Sequence, residues 1–259
     1  MKLSLHMFVV AAVTWIAAIT EVNGAKVLTE KPAFLEICKR TDSGFGQCWA
    51  KNLEKIFHEW KSGVPGLKSI GSLDPLHVKR VKLTQGAQSG PISMNMELAN
   101  AELSGLSGTI YEDAGSDGSN LVLKLRVSVP SFKLNGDYKM KGNIFSLALN
   151  SHGKALMTFE KSIFTFIFHL KLHEDGENTF VVIDKLRLVW EDIGDMQFHM
   201  DNLFGGDKAL EDSAHSLLND NWRAIFEVLR PALSQTNQIV VKDTLSKILA
   251  IIPSKYLME

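Results

Sequence analysis

The sequence has 259 residues, of which 45 % are hydrophobic and 22 % charged, and its formal net charge at neutral pH is −1. That composition can fill a sizeable core, which excludes a disordered chain. Acidic and basic residues are interspersed rather than blocked, which excludes a nucleic-acid footprint and a polybasic patch for anionic lipid.

The chain opens with Lys2 and an apolar run over residues 3–19, broken only by Ser4, His6 and Thr14 and followed by Glu21-Val22-Asn23-Gly24. This is the pattern of a signal peptide over residues 1–24: Val22 and Gly24 suit the small-residue pockets of a signal peptidase. Residues 25–259 are then expected to form a single secreted, extracellular domain. The run is short for a membrane span of about 20 residues, so no stable membrane anchor is expected. An oxidising compartment would join Cys38 to Cys48. That short loop contributes about 2–3 kcal/mol, enough to pin the N-terminal segment but not the whole fold. Two thiols without a histidine at ligand spacing argue against a metal site.

Trp49, Leu53, Ile56, Phe57 and Trp60 recur at helical spacing and predict an amphipathic helix of about three turns. Gly63-Val64-Pro65-Gly66 ends it, and Asp74-Pro75 marks a turn. From His77 to Asp201 the period changes to two, with turn clusters at 85–91, 112–120, 135–137, 150–153 and 173–178, predicting an antiparallel meander. One face is apolar: Leu121, Leu123, Leu125, Val127 and Val129 in one strand, and Phe164, Phe166, Phe168, Leu170 and Leu172 in another. Leu186, Leu188 and Trp190 continue it, followed by Met196, Phe198 and Met200. Over residues 207–252 the helical period returns, with a stripe from Leu210, Ala214, Leu217, Leu218 and Trp222 through Phe226 and Leu229 to Ile252. Pro231 is expected to kink this helix or to start its second half. So long a stripe needs an equally long cover, and the apolar sheet face is the candidate, giving an α+β fold with a sheet wrapped along a helix.

Several motifs in order resemble one family, the insect takeout and juvenile hormone binding proteins. They are the early cysteine pair, Gly63-Val64-Pro65, Leu73-Asp74-Pro75-Leu76, the Gly136-Asp137-Tyr138-Lys139-Met140-Lys141-Gly142 hairpin and Leu203-Phe204-Gly205-Gly206-Asp207-Lys208. Asn219-Asp220-Asn221-Trp222, Pro231, Ile252-Pro253 and Tyr256-Leu257 complete the series. Gly205 departs from the family's Asn-Gly turn, but glycine serves a positive-φ position equally well. The resemblance implies a long C-terminal helix wrapped by a strongly curved antiparallel sheet, a super-roll similar to one half of bactericidal permeability-increasing protein. It also implies an apolar tunnel and a secreted carrier of juvenile hormone or another long apolar ligand, with some relatives tied to circadian output and feeding.

Candidate ligand-lining residues are Leu123, Leu125, Val127, Phe164, Phe166, Phe168, Leu188, Trp190, Phe198, Trp222, Phe226 and Leu229, with Tyr138, Thr165 and Gln197 as candidate polar anchors. No nucleophile elbow, zinc-protease, phosphate-loop, dinucleotide or calcium-loop motif is present. Gly86-Ala87-Gln88-Ser89-Gly90 has its serine one place too late and reads as a hairpin loop. His169 and His173 share a strand face with Lys171 between them and are expected to be solvated. Asp192 and Asp195 flank Gly194 in a turn. The chain has no Asn-x-Ser/Thr site for N-glycosylation. The expectation is therefore a non-enzymatic monomer without cofactor or metal, whose partner is a small hydrophobic ligand. The rival is a secreted signal with a filled core whose surface meets a receptor.

Overall fold

The computed structural model describes residues 19–22, 25–85, 92–144 and 147–259. The expected 85–91 loop, apart from Gln85, and most of the expected signal peptide lie outside these. In chain order the elements are β1 (Ile19–Val22), β2 (Ala25–Leu28), α1 (Phe45–Glu59), β3 (Leu76–Gln85), β4 (Ile92–Ser104), β5 (Ile110–Asp117), β6 (Val122–Ile144) and β7 (Leu147–Asp175). They continue with β8 (Asn178–Asp192), β9 (Asp195–Met200), α2 (Lys208–Asp220) and α3 (Trp222–Leu249).

Among the described residues, seven strands form one antiparallel sheet in the order β3-β4-β6-β7-β8. It curves along the C-terminal helix as a super-roll. The long hairpin β6–β7 is its spine, in register from Ile144 opposite Leu147 to Val122 opposite His169. β4 and β5 lie end to end along one side of β6, and β8 and β9 along the far side of β7. Two expected turns, 135–137 and 150–153, are strand interior instead: Asn135 pairs with Leu156, and Asn150 with Lys141. The glycines there mark close approaches. A Cβ on Gly136 would stand 3.1 Å from the Ala99 oxygen, where β4 shifts register, and one on Gly153 would stand 2.7 Å from the Asp201 oxygen. Most of 112–120 is likewise strand β5. Leu172 is exposed because β7 has there run past the end of β6 and pairs only with β8.

Between β4 and β5 the chain turns through Gly105, at φ 98°, and a 3₁₀ turn, Leu106–Gly108. The Asp74 carboxylate fixes this break. It accepts from the Gly105 and Ser107 amides at 2.9 and 2.8 Å and from the Ser107 hydroxyl at 2.5 Å.

The expected single helix is two. Asp207 caps the start of α2 by accepting from the Leu210 amide, and α2 ends at Asn221, whose side chain donates to the Leu217 carbonyl at 2.8 Å. Leu210 and Leu217 are exposed, so α2 buries only Ala214 and Leu218. The interruption thus falls at Asn221, and α3 continues helical through Pro231 for 28 residues, about 42 Å. Proline removes one donor to the Glu227 carbonyl, a loss that the flanking turns absorb.

α3 covers the outer edge of β8. Arg230 donates to the Glu191 carbonyl (3.1 Å) and Lys242 to that of Asp184 (2.8 Å). Ser234 accepts from the Trp190 amide and Gln238 from the Leu188 amide, each at 3.1 Å. The four residues recur every fourth position and so form one stripe on the helix, matched to main-chain groups that an edge strand leaves unpaired.

The core divides in two. One cluster centres on Phe132, Phe159, Phe164, Trp190 and Phe226. The other joins Trp49 and Ile56 of α1 to Leu123, Leu125, Ile248 and Ile252. The Cys38–Cys48 disulfide, with Cα atoms 5.7 Å apart, ties the N-terminal segment to α1. Buried Asn52 both accepts from the Glu36 amide (2.9 Å) and donates to its carbonyl (2.8 Å), so that segment is also held without covalent help.

Two stability predictions follow from these contacts. Gln238→Leu leaves the Leu188 amide unpaired and should lower stability by about 1–2 kcal/mol in urea titration, with Gln238→Glu recovering most of it; an unchanged midpoint for Gln238→Leu would remove the stripe from the forces closing the sheet. Asp74→Ala should speed amide hydrogen exchange at Gly105 and Ser107 at least tenfold while exchange in β6 stays put, and equal protection in both proteins would show the break to be self-supporting.

Candidate functional site

Side chains on one face of a strand recur every second residue, so β6 presents Leu125, Val127 and Val129, and β7 presents Phe164, Phe166 and Phe168, to the same concave side. Leu125 lies opposite Phe166 and Val127 opposite Phe164, and the Phe166 and Phe168 rings stack at 5.9 Å. Leu188 of β8 extends this wall. Facing it, α3 supplies Asn237, Val240, Val241, Thr244 and Leu245, the i, i+3, i+4, i+7, i+8 set of one helix face. Leu53 and Phe57 of α1, Leu76 of β3, Leu103 of β4, Leu106 and Thr109 of the break between β4 and β5, and Tyr111 of β5 border the same space.

Between these walls is a cavity. Counted as space open to the centre of a water-sized sphere, its volume is about 130 Å³. That is roughly tenfold what one water needs on the same measure. The cavity sits at the junction of the two core clusters, where Tyr111, Phe166 and Val241 touch both.

Six sequence candidates are on this wall: Leu125, Val127, Phe164, Phe166, Phe168 and Leu188. The structure places Leu123, Trp190, Phe198, Phe226 and Leu229 elsewhere, buried inside the two packed clusters. Trp222 is half-buried at the start of α3 with the Arg223 guanidinium 4.3 Å over its ring.

None of the three expected anchors reaches the cavity. Thr165 lies between Phe164 and Phe166 and so points to the opposite face, where its hydroxyl donates to Glu191 at 2.6 Å. That bond, with Arg126 beside it, holds the Glu191 carboxyl below the usual range. Gln197, between Met196 and Phe198, is exposed and donates to Asp195 at 3.1 Å. Tyr138 is buried, but its hydroxyl is used on the Asp201 carbonyl at 2.6 Å, and burial pushes the phenol up.

The polar groups that do line the cavity are Thr109, Tyr111, Asn237 and Thr244. Thr109 donates to the Leu106 carbonyl at 2.6 Å. Burial, and secondarily the nearby Glu54 carboxylate, pushes the Tyr111 phenol up. Sequence reasoning passed over Tyr111, Asn237 and Thr244. The available signal was that Asn237 and Thr244 interrupt an otherwise aliphatic helix face at helical spacing.

His169 and His173 are both exposed. Asp192 pairs with Arg223 at 2.9 Å and Asp195 accepts from the Met196 amide at 2.9 Å, so the two carboxylates by Gly194 have structural partners. Among the described residues no three His, Cys, Asp or Glu side chains are grouped to hold a metal ion.

The fold has a solved counterpart in Takeout 1 of Epiphyas postvittana, with a TM-score of 0.70 and 20% identity over 86% of this chain and 99% of that one. At such identity the likeness establishes the fold alone. Among characterised sequences, the circadian clock-controlled protein daywake of Drosophila melanogaster is 20% identical over 210 residues, 79% of each chain. Its Drosophila yakuba counterpart is 19% identical over 228 residues, 86% of each. The family model of the Haemolymph juvenile hormone binding protein (JHBP) matches residues 9–259. The chain therefore belongs to the haemolymph juvenile hormone binding protein family, whose members generally carry lipophilic ligands.

Proposed function

We propose that the protein is a secreted monomeric carrier that holds one small, largely apolar ligand, a terpenoid, fatty-acid-like or other long lipid, between α3 and the concave face of the sheet. The observation that carries this reading is the cavity itself: aliphatic and phenyl groups from five strands and two helices surround space that neither core cluster fills. Burial alone supplies the affinity, at about 25 cal/mol per Å² of apolar ligand surface, so binding needs no acid, base or nucleophile and the protein acts without catalysis.

Release from the cell rests on the expected cleavage after Gly24, leaving residues 25–259 as the carrier domain. No helix among the described residues is long and apolar enough to cross a membrane. The fly relatives are named as clock-controlled. Output of the biological clock is the physiological setting we propose on that basis.

Native mass spectrometry of protein secreted from insect cells, followed by organic extraction, should release one stoichiometric lipid or terpenoid per chain. A protein that is empty and refuses every added lipid would instead favour action through its surface on a receptor. Phe166→Trp places added volume on the cavity wall and should cut ligand occupancy at least fivefold with the unfolding midpoint little changed. Undiminished occupancy would take Phe166 off the binding surface.

A further inference from the structure

We infer that the outer side of the α3–β8 seam is a binding site for a tetrahedral oxyanion, a phosphate or sulfate group. The site is separate from the apolar cavity and does not depend on what the cavity holds.

An open groove runs along this seam, between Arg187 and Val189 of β8 and Arg230, Ser234, Gln235 and Gln238 of α3. Its polarity follows from how the seam is made. Ser234 Oγ accepts the Trp190 amide proton and Gln238 Oε1 the Leu188 amide proton, each at 3.1 Å. A backbone N–H can only donate, so the Gln238 carboxamide must turn its oxygen to the strand, and its NH2 is left to donate elsewhere. The Ser234 hydroxyl, accepting at oxygen, likewise keeps its own proton free to donate. Neither donor, nor the Gln235 carboxamide, has a partner among the described residues.

Charge in the groove has the sign that those donors call for. No carboxylate lines it. Arg187 is exposed, stands opposite Ile167 and is flanked on its own face of β8 by Lys185 and Val189, and it makes no ion pair among the described residues. Arg230 is engaged by the Glu227 carboxylate at 2.7 Å and adds little net charge. Lys242, one turn beyond Gln238, bonds to the Asp184 carbonyl, while the Asp184 carboxylate is taken by Lys171 at 3.0 Å. Glu191, the next acid on that face of β8, is held by Thr165 and Arg126. The nearby acids therefore have cations or hydroxyls of their own, and the Arg187 guanidinium has none.

Ser234 and Gln238 leave α3 one turn apart, about 6 Å along its axis. Donors at that spacing can reach different oxygens of one anion with hydrogen bonds of about 2.8 Å. From the facing wall a guanidinium meets phosphate or sulfate through two parallel bonds. Donors arriving from both walls suit the three or more oxygens of a tetrahedral anion better than the two of a carboxylate. A cation would find no acceptor to replace its water.

The test is titration of inorganic phosphate, followed by phosphorus NMR line broadening, with the full secreted protein at neutral pH and low salt. Binding should be saturable at one phosphate per chain, displaced by sulfate and at least fivefold less effectively by acetate. Arg187→Gln and Gln238→Glu should each weaken it at least tenfold. Gln238→Glu keeps the oxygen that the Leu188 amide needs and exchanges only the donor for a carboxylate, so lost binding with a little-changed urea midpoint separates anion recognition from closure of the seam. Lys139→Gln, which removes an exposed cation elsewhere on the sheet, should leave binding unchanged within twofold. Absence of saturable binding, indifference to Arg187→Gln and Gln238→Glu, or an equal loss in Lys139→Gln overturns the assignment. Cosedimentation with phosphatidylcholine vesicles containing phosphatidic acid identifies the source of the group. Retention that free phosphate competes away and Arg187→Gln abolishes assigns a lipid headgroup, and phosphate binding without retention assigns a soluble phosphate.

Discussion

The structure depends on how α3 closes the open side of a curved sheet. The first part of the helix buries Ile225, Phe226, Leu229 and Ala232 in one cluster, and the last part buries Leu245, Ile248 and Leu249 in the other. Between Ala232 and Leu245 no α3 side chain is fully buried, and this is the span that faces the cavity. Core packing cannot hold the helix there. Ser234, Gln238 and Lys242, within that same span, bond instead to the main chain of β8. Directional polar contacts to an otherwise unpaired edge replace the hydrophobic contacts that a cavity removes. The opposite flank of α3 packs toward β3 with no hydrogen bond between the two elements among the described residues, so the helix is fixed from one side.

The sheet contributes the other half of the enclosure through its interruptions. β6 and β7 are continuous over long stretches, whereas their outer neighbours are each broken once: at Gly105–Thr109 between β4 and β5, and at Ile193-Gly194 between β8 and β9. The first break turns Leu106, Thr109 and Tyr111 inward, which a regular strand of alternating faces could not do with residues at those spacings. Asp74, from a distant loop, satisfies the amides that the break exposes. One carboxylate thereby stabilises an irregular segment whose irregularity shapes the cavity.

Much of this was legible in the sequence where a single period decides the matter. The alternation through Leu125, Val127, Phe164 and Phe166 placed those side chains on the inner face, and the same alternation assigns Thr165 to the outer face, against its candidacy as an anchor. Cavity and core were not separable, because Phe166 and Trp190 occupy equivalent positions in the pattern. Trp190 meets the rings of Phe132, Phe159, Phe164 and Phe226, whereas Phe166 faces space, and that difference is set by partners far away in the chain. Glycine and proline misled for a related reason. Gly136 serves a close approach to β4 rather than a turn, and Pro231 is absorbed by a helix whose real interruption, Asn221, carries a side chain able to cap the preceding turn. Each of these residues has two structural uses, and only tertiary contacts choose between them.

The empty space has an energetic meaning of its own. At about 24 cal/mol per Å³, filling a space of about 130 Å³ with well-packed side chains would add at most about 3 kcal/mol of stability. Against a typical domain stability of about 5–15 kcal/mol, that is a sizeable share. Cores usually avoid such a loss by substituting larger side chains, and several wall positions, among them Val127, Val240 and Val241, have larger aliphatic alternatives. Their small size leaves the space between the walls open. A ligand held there, as proposed, would contact both clusters at once and add stability by mass action, so binding and folding would draw on the same surfaces. The disulfide and α1 belong to one cluster and the stacked aromatic group to the other, and Tyr111, Phe166 and Val241 bridge the two. A ligand at the junction would therefore touch the three side chains that already join the two clusters.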